Sequence, residues 1–149
     1  MSIDEIIDFV RSLGGVLVLQ PEPGDGTPEI AWGDTFVYYA PEASSAKTQP
    51  FATIVTKDYP DDEGSRLYRP GAFRLNIGAG TEAFTRWTGY RPKAAPLDGG
   101  AGAADVFVAH PVYGRAGWLA VVNPGSRTEE PIRELLRDAH QRARSRHRR

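Results

Sequence analysis

Hydrophobic positions recur with a helical period at both ends of the chain. Near the start, apolar side chains follow the capping-box residues Ser2 and Glu5 at intervals of three or four, and Gly14-Gly15 ends the pattern. Near the other end, a second helical pattern follows Thr128, which is its predicted N-cap. The apolar positions of this second helix are Ile132, Leu135, Leu136, Ala139 and Ala143. The pattern predicts a helix at each end.

The intervening chain carries the patterns of β-strands. Apolar or alternating runs, rich in β-branched and aromatic residues, occupy positions 16–19, 36–39, 51–56, 73–77, 105–109 and 117–122. A short helix is expected at 81–87, closed by Gly89. Because each terminal helix has one apolar face, we expect both to pack on one face of a mostly antiparallel sheet. The chain is therefore predicted to be a single α+β domain.

Composition limits the classes to which this chain can belong. Its 149 residues suit one domain, and 40% hydrophobic with 25% charged residues is typical of a globular protein. The absence of Cys excludes disulfides, a thiolate nucleophile and cysteine-ligated metals. The acidic, amphipathic N-terminus is unlike a signal peptide, and no apolar run approaches the ~20 residues of a membrane span. We expect a cytoplasmic protein without membrane association.

Positive charge is concentrated at the C-terminus. The net charge is −1, yet the last eight residues include Arg142, Arg144, Arg146, Arg148 and Arg149. We divide the chain into a domain at 1–141 and a basic, frayed tail at 142–149. The tail suggests a nucleic-acid partner, but a solvated helix end is the interpretation we favour. Basic patches of nucleic-acid-binding domains usually lie on the folded face, whereas Arg at a helix C-terminus suits the helix dipole.

The best-placed polar residues follow the strand at 105–109. His110 stands at the strand end, where a scaffold presents side chains to a cleft, and it could act as a general acid or base with Tyr113 as a donor. A structural role is the favoured alternative, because a His before Pro can tie a strand end to the backbone. With Trp118 nearby, His110 and Tyr113 form a candidate ligand site.

A second polar set lies on and near the strands. Arg74 and Asn76 are two residues apart and share one strand face, where a cation and an amide could meet an anionic or polar ligand. Lys57-Asp58-Tyr59 stands at another strand end. A solvated face of an antiparallel sheet explains these residues as well, and we prefer that interpretation. Arg74 and Asn76 are nevertheless included in the candidate ligand site.

A glycine-rich turn follows the strand at 73–77. Its sequence, GAGTEA from Gly78, matches the G-x-G-x-x-A pattern of dinucleotide-binding turns. The preceding strand alternates, whereas a buried parallel strand is continuously apolar, and no complete βαβ unit surrounds the match. A tight strand-to-helix turn is therefore favoured. Gly78, Gly80 and Thr81 remain a candidate for a generic anion site.

The sequence carries no motif for a metal or cofactor. Its histidines, His110, His140 and His147, lack the spacing of a zinc site. The acidic residues around Asp58 lack the Gly and distal Glu of an EF-hand loop. P-loop and nucleophile-elbow patterns are also absent. We predict no metal site and no cofactor.

Several short segments carry a family resemblance. His110-Pro111-x-Tyr113 with Trp118 and the closing helix, together with the Trp32-Gly33 and Phe51-Ala52 strand starts, resembles the MmcQ/YjbR-like family. The segments WGDTFVYY, PFATIVTKDYP, FRLNIGAG and HPVYGRAGW are more closely similar to a related family of uncharacterised proteins. The MmcQ/YjbR resemblance implies a frataxin-like α+β fold, no established reaction and a suggested affinity for DNA.

The chain departs from that family where DNA binding is concerned. Gln49-Pro50 stands where the family has a Lys, and residues 114–117 replace a basic, His-containing loop. Both changes remove positive or titratable groups, so DNA binding by the folded domain is less expected than in the family.

Three hypotheses for the function follow. We favour a non-enzymatic or accessory domain that binds an unknown small molecule near His110, Tyr113, Trp118, Arg74 and Asn76. The alternatives are a nucleic-acid-associated protein that uses the arginine-rich C-terminus, and an enzyme with His110 as general acid or base.

Overall fold

The computed structural model describes residues 1–42, 49–60, 62–96 and 103–147, which contain a six-stranded antiparallel sheet. The strands are β1 (Val16–Leu19), β2 (Thr35–Tyr39), β3 (Ala52–Val55), β4 (Arg74–Gly78), β5 (Phe107–Ala109) and β6 (Trp118–Val122). Their order in the sheet is β1-β2-β3-β4-β6-β5, so β6 pairs between β4 and β5. Parts of the predicted loops at 41–50 and 91–104, with Asp61, Arg148 and Arg149, lie outside the described residues.

Three α-helices within the described residues complete the fold: α1 (Ile3–Ser12), α2 (Thr81–Thr88) and α3 (Glu129–His147). The predicted capping box of α1 is confirmed, because the Glu5 N–H donates to Ser2 Oγ at 3.1 Å and the Ser2 N–H donates to Glu5 Oε1 at 2.9 Å. Helix α2 ends at Gly89, whose φ of +84° suits glycine. No described helix has the length and apolar character needed to cross a membrane.

One face of the sheet carries the hydrophobic core, and the helices pack on it. Alternation along β4 points Leu75 and Ile77 to this face, where both are almost fully buried. They join one apolar cluster with Ile6 of α1, Phe84 of α2 and the inner residues of α3. The predicted α+β fold, with both terminal helices on one face of an antiparallel sheet, is confirmed.

The opposite face of the sheet is polar at its centre but closed to solvent. Arg74 and Asn76 point to it and are only 2% and 1% exposed, so the preferred interpretation of this pair as a solvated face is wrong. The reason is the segment before β4, which folds over this face. Asp62 and Ser65 reach Arg74, while Leu67 packs in a small second apolar cluster with Val55, Ala72 and Val122.

The start of α3 is held by a residue that is distant in sequence. Thr128 does precede the helix, and its carbonyl accepts the N–H of Ile132 at 2.8 Å. Its hydroxyl, however, donates to Asp105 Oδ1 at 2.5 Å. The Asp105 carboxylate also accepts the N–H groups of Gly125, Arg127 and Thr128 at 2.8–3.0 Å. The Asp105 carboxylate, from the chain before β5, therefore holds the turn that leads into α3.

The end of α3 differs from the prediction. The helix continues through His147, whereas the sequence pattern placed a frayed tail from residue 142 onward. Arg142 and Ala143 are half-buried, and the Arg142 guanidinium donates from Nη2 to the carbonyl oxygen of Gly78. Helix α3 thus extends beyond the boundary predicted after residue 141, and its residues Arg142 and Ala143 still pack at the end of the sheet.

Candidate functional site

Arg74 is the centre of a buried hydrogen-bond network. Its Nη1 and Nη2 donate to the two carboxylate oxygens of Asp62 at 2.8 and 2.7 Å. Nη1 also donates to Ser65 Oγ at 3.0 Å, and Nε donates to Asn76 Oδ1 at 2.8 Å. Four of its five N–H groups thus have acceptors within the protein. This network holds the covering segment on the sheet and leaves little of Arg74 for a ligand.

His110 is tied to its own turn. Its Nδ1 accepts the N–H groups of Val112 and Tyr113, each at 3.0 Å, which assigns the proton of the neutral imidazole to Nε2. Nε2 lies 3.3 Å from Arg74 Nη2, so two donors face each other. Burial, followed by the Arg74 charge, lowers the pKa of His110 to about 4, against a smaller opposing effect of Asp62. The geometry favours the structural role of His110 over acid–base catalysis near neutral pH.

The aromatic members of the predicted ligand site surround His110 without sharing one pocket. The Tyr113 ring lies 5.0 Å from the imidazole and is 54% exposed. The Trp118 ring lies 6.5 Å from the imidazole, edge-on to it and half-buried. The structure therefore brings Arg74, Asn76 and His110 into one closed network, with Tyr113 and Trp118 at its margin.

The three residues of the candidate anion site, Gly78, Gly80 and Thr81, do not all line the same cavity. Gly78 and Gly80 line a cleft of about 450 Å³, whereas Thr81 is exposed and does not line it. The Gly78 N–H donates to the carbonyl of Phe51, and the Gly80 N–H donates to the carbonyl of Gly117. Because these N–H groups are already bonded, the two glycines contribute space to the cleft and no free donors.

This cleft, which we call the sheet-end cleft, lies where the end of the sheet meets the last turns of α3. One wall consists of helix residues: Arg142, Ala143, Arg146 and His147. The other wall comes from the strands and their loops: Tyr39, Gln49, Pro50, Phe51, Gly78, Gly80, Ala116 and Trp118. A cavity of this size is within the usual range for small-molecule sites.

Arg142 is a half-buried cation without a carboxylate partner among the described residues. It bonds to the Gly78 carbonyl, and its guanidinium packs beside Gly80. Burial lowers its pKa, the Asp138 charge opposes that effect, and the Arg146 charge reinforces it. Arg142 and Arg146 are one helical turn apart, where like charges destabilise a helix. The cleft therefore presents a concentrated positive charge that an anion would neutralise.

Tyr39 forms the aromatic part of the cleft near α3. Its ring lies 5.3 Å from the His140 ring and 5.4 Å from the His147 ring, edge-on in both cases. His140 Nε2 in turn lies 2.8 Å from the carbonyl oxygen of Gly14. Gly15 leaves the space that the ring needs, because a Cβ at this position would be 2.8 Å from Tyr39 Cε1. The tyrosine is thus held in place from two sides.

A separate polar cluster surrounds Asp34, which is fully buried. Its Oδ1 accepts the Thr56 N–H at 2.9 Å and lies 3.1 Å from Lys57 Nζ, while its Oδ2 accepts the Tyr59 hydroxyl. Burial and the Asp34 carboxylate raise the pKa of Tyr59. These bonds attach residues 56–59 to the start of β2. Lys57 and Tyr59 therefore belong to a different network from Arg74 and Asn76.

The basic wall of the cleft was not assigned to a site from the sequence. Arg142 and Arg146 were grouped with a tail because five arginines follow one another closely. Their helical spacing was the available signal, since Leu135, Ala139, Arg142 and Arg146 continue one stripe at intervals of four, three and four. That stripe runs from the core to the sheet-end cleft.

Together the fold and the site define an α+β domain with a basic cleft at one end of its sheet. Residues 1–149 match the family described as "Family of unknown function (DUF6194)", and the chain belongs to that family. No curated protein and no solved structure matches the chain.

Proposed function

We propose that this chain is a non-enzymatic binding domain that takes a small anion in the sheet-end cleft. The observation that carries the proposal is the half-buried Arg142, which has a carbonyl partner but no ion pair among the described residues. A guanidinium in a partly desolvated site gains most from a charged acceptor, and it presents several donors in a fixed plane. A carboxylate or phosphate would satisfy those requirements.

Binding is favoured over catalysis because the best catalytic candidate is inaccessible. His110 is 5% exposed, its Nδ1 is occupied by two backbone N–H groups, and its pKa is lowered to about 4. A general acid or base works best with a pKa near the operating pH and within reach of the substrate. His110 meets neither condition in this structure.

A nucleic-acid partner is less favoured because helical geometry divides the C-terminal arginines. Arg142 and Arg146 line the cleft and Arg144 does not, although Arg144 and Arg146 are both exposed. Two residues along a helix correspond to a rotation of about 200°, so Arg144 points away from the cleft. The arginines of α3 therefore do not form one continuous face for a phosphate backbone.

Calorimetric titration with inorganic phosphate and acetate, at constant ionic strength, tests the proposal. Arg142→Gln is expected to weaken binding at least about tenfold, the usual cost of losing a hydrogen bond to a charged group. Arg146→Gln should also weaken it. Arg144→Gln, which removes the same charge from the same helix outside the cleft, is the matched control and should leave the affinity unchanged.

The result can go against the proposal in two ways. Undetectable binding of both anions by the wild-type protein would refute a preformed anion site. Equal weakening by Arg142→Gln and Arg144→Gln would indicate a diffuse charge effect, as in the nucleic-acid alternative. Folding of each variant is checked by circular dichroism, and Arg146→Gln decides the question if Arg142→Gln does not fold.

Two further statements remain predictions. The relation to the MmcQ/YjbR-like family is supported by the order of the secondary-structure elements, with a helix, antiparallel strands and a closing helix. It is also supported by the short sequence segments around Trp32, Phe51 and His110. A cytoplasmic location is the second of these predictions. Fractionation of cells that express the full chain would test the location.

A further inference from the structure

The sheet-end cleft has two chemically different walls. The helix wall presents Arg142, Arg146 and His147. The facing wall is mostly apolar and includes Pro50, Ala116 and the half-buried indole of Trp118. A small inorganic anion would use only the basic wall, so the shape of the cleft suits a ligand with an acid group and an apolar part.

Trp118 is a fixed platform in the apolar wall. Glycine at position 78 leaves room for the indole, because a Cβ there would lie 3.3 Å from Trp118 Cζ2. On another side, the edge-on His110 ring lies 6.5 Å away. His110 is itself held by its two backbone hydrogen bonds. An aromatic side chain that is already ordered costs little entropy when a ligand stacks on it.

We infer that the ligand is a planar aromatic acid whose anionic group meets Arg142 and whose ring packs on Trp118. This inference rests on the proposed function, because it identifies the class of anion for the same cleft. It also gives the buried His110 a role, which is to position the indole.

Three matched probes test the inference: phenylacetate, cyclohexylacetate and phenylacetamide. The first two share a charge and differ in aromaticity, while the third keeps the ring and removes the charge. Binding is followed by Trp118 fluorescence in a Trp32→Phe/Trp87→Phe background. Phenylacetate is expected to bind at least about tenfold more tightly than phenylacetamide, from the charged hydrogen bonds. It should bind about two- to tenfold more tightly than cyclohexylacetate, from ring packing.

Substitution of the platform supplies the second comparison, measured by calorimetry because the fluorophore is lost. Trp118→Leu should reduce the affinity for phenylacetate to that for cyclohexylacetate and leave the affinity for cyclohexylacetate nearly unchanged. If Trp118→Leu does not fold, the affinities of the wild-type protein for phenylacetate and cyclohexylacetate are by themselves sufficient to test the contribution of ring packing.

The outcomes separate the inference from the proposed function. Equal affinities for phenylacetate and cyclohexylacetate, both reduced by Arg142→Gln, would overturn the aromatic assignment and leave the anion site intact. Binding of inorganic phosphate through Arg142 without any binding of phenylacetate would do the same. Binding of none of these anions, or phenylacetamide binding as tightly as phenylacetate in both wild-type protein and Arg142→Gln, would overturn both.

Discussion

Removal of the Arg74 guanidinium should be among the most destabilising single substitutions in this fold. Arg74→Met keeps a long side chain but deletes four hydrogen bonds, and it leaves the Asp62 carboxylate, which is 8% exposed, without its cation. Removing one partner of a buried ion pair costs about 3–5 kcal/mol. A domain has about 5–15 kcal/mol of stability in total, so this is a large share of it.

Urea denaturation followed by far-UV circular dichroism measures the effect. With a slope of about 2 kcal/mol per molar urea, typical for small proteins, the midpoint should fall by about 2 M without a change in slope. The double variant Arg74→Met/Asp62→Leu should recover most of the loss, because it buries no unpaired charge. Arg86→Met, on the exposed side of α2, is the control and should stay within about 0.5 kcal/mol of the wild type.

The reasoning would be refuted by a loss below about 1 kcal/mol for Arg74→Met, since that is no more than an ordinary surface or partial-burial effect. Additive losses in the double variant would refute it too, because they would show that Arg74 and Asp62 do not stabilise each other.

Three further predictions concern the residues that hold the site together. Desolvation tends to raise the pKa of Asp105, but its bonds to Thr128 and to backbone N–H groups outweigh that effect and lower the pKa to about 2 from 3.8. Its contribution to stability is therefore full above pH 3.8 and lost as the pH falls towards 2. Asp105→Asn, which tolerates the φ of +59°, should cost about 1 kcal/mol near neutral pH and lack that acid-dependent loss when urea midpoints are compared across pH. The pKa of His110 is lowered from 6.5 to about 4, so the unfolded chain binds the proton first as the pH falls. The free energy of unfolding should therefore decrease between pH 6.5 and pH 4. If urea midpoints of His110→Asn showed the same decrease, they would contradict this prediction. Gly15→Ala should lower the free energy of unfolding by about 1–3 kcal/mol more than Gly14→Ala does, as measured by thermal unfolding. Both glycines have positive φ, but only a Cβ at position 15 meets the Tyr39 ring. Equal losses of stability would show that the ring moves aside freely.

Local patterns in the sequence were sufficient to predict the helices and strands and the packing of both terminal helices on one face of the sheet. The capping box at Ser2 and Glu5 and the alternation of Leu75 and Ile77 each depend on neighbours a few residues away, which a sequence displays directly. Helix α3 was found for the same reason. Its end was misplaced because arginine-rich composition was given more weight than the continuing spacing of Arg142 and Arg146.

The polar contacts between distant segments could not be predicted, because they join residues without a periodic relation. Asp62 lies in an irregular segment twelve residues before Arg74, so nothing in the sequence indicated that it would cover that side chain. Asp105 reaches Thr128 across the whole of β5 and β6. For His110, the favoured structural role rested on its position before Pro111, and its Nδ1 bonds to the following turn agree with that role. The grouping of His110 with Trp118 came from their closeness in the sequence, and the edge-on arrangement of the two rings became visible only in the folded chain.

The guanidinium resonances of the arginines test the central claim most directly. The Arg142 Nε–Hε signal, assigned by its absence in Arg142→Gln, can be followed by two-dimensional NMR while inorganic phosphate, acetate and phenylacetate are added in separate titrations at constant ionic strength. We predict a saturable shift of this signal, with the Arg144 signal unmoved. Small, linear and equal shifts of both signals with all three anions, as in non-specific screening of exposed charges, would contradict the assignment of the sheet-end cleft as an anion site.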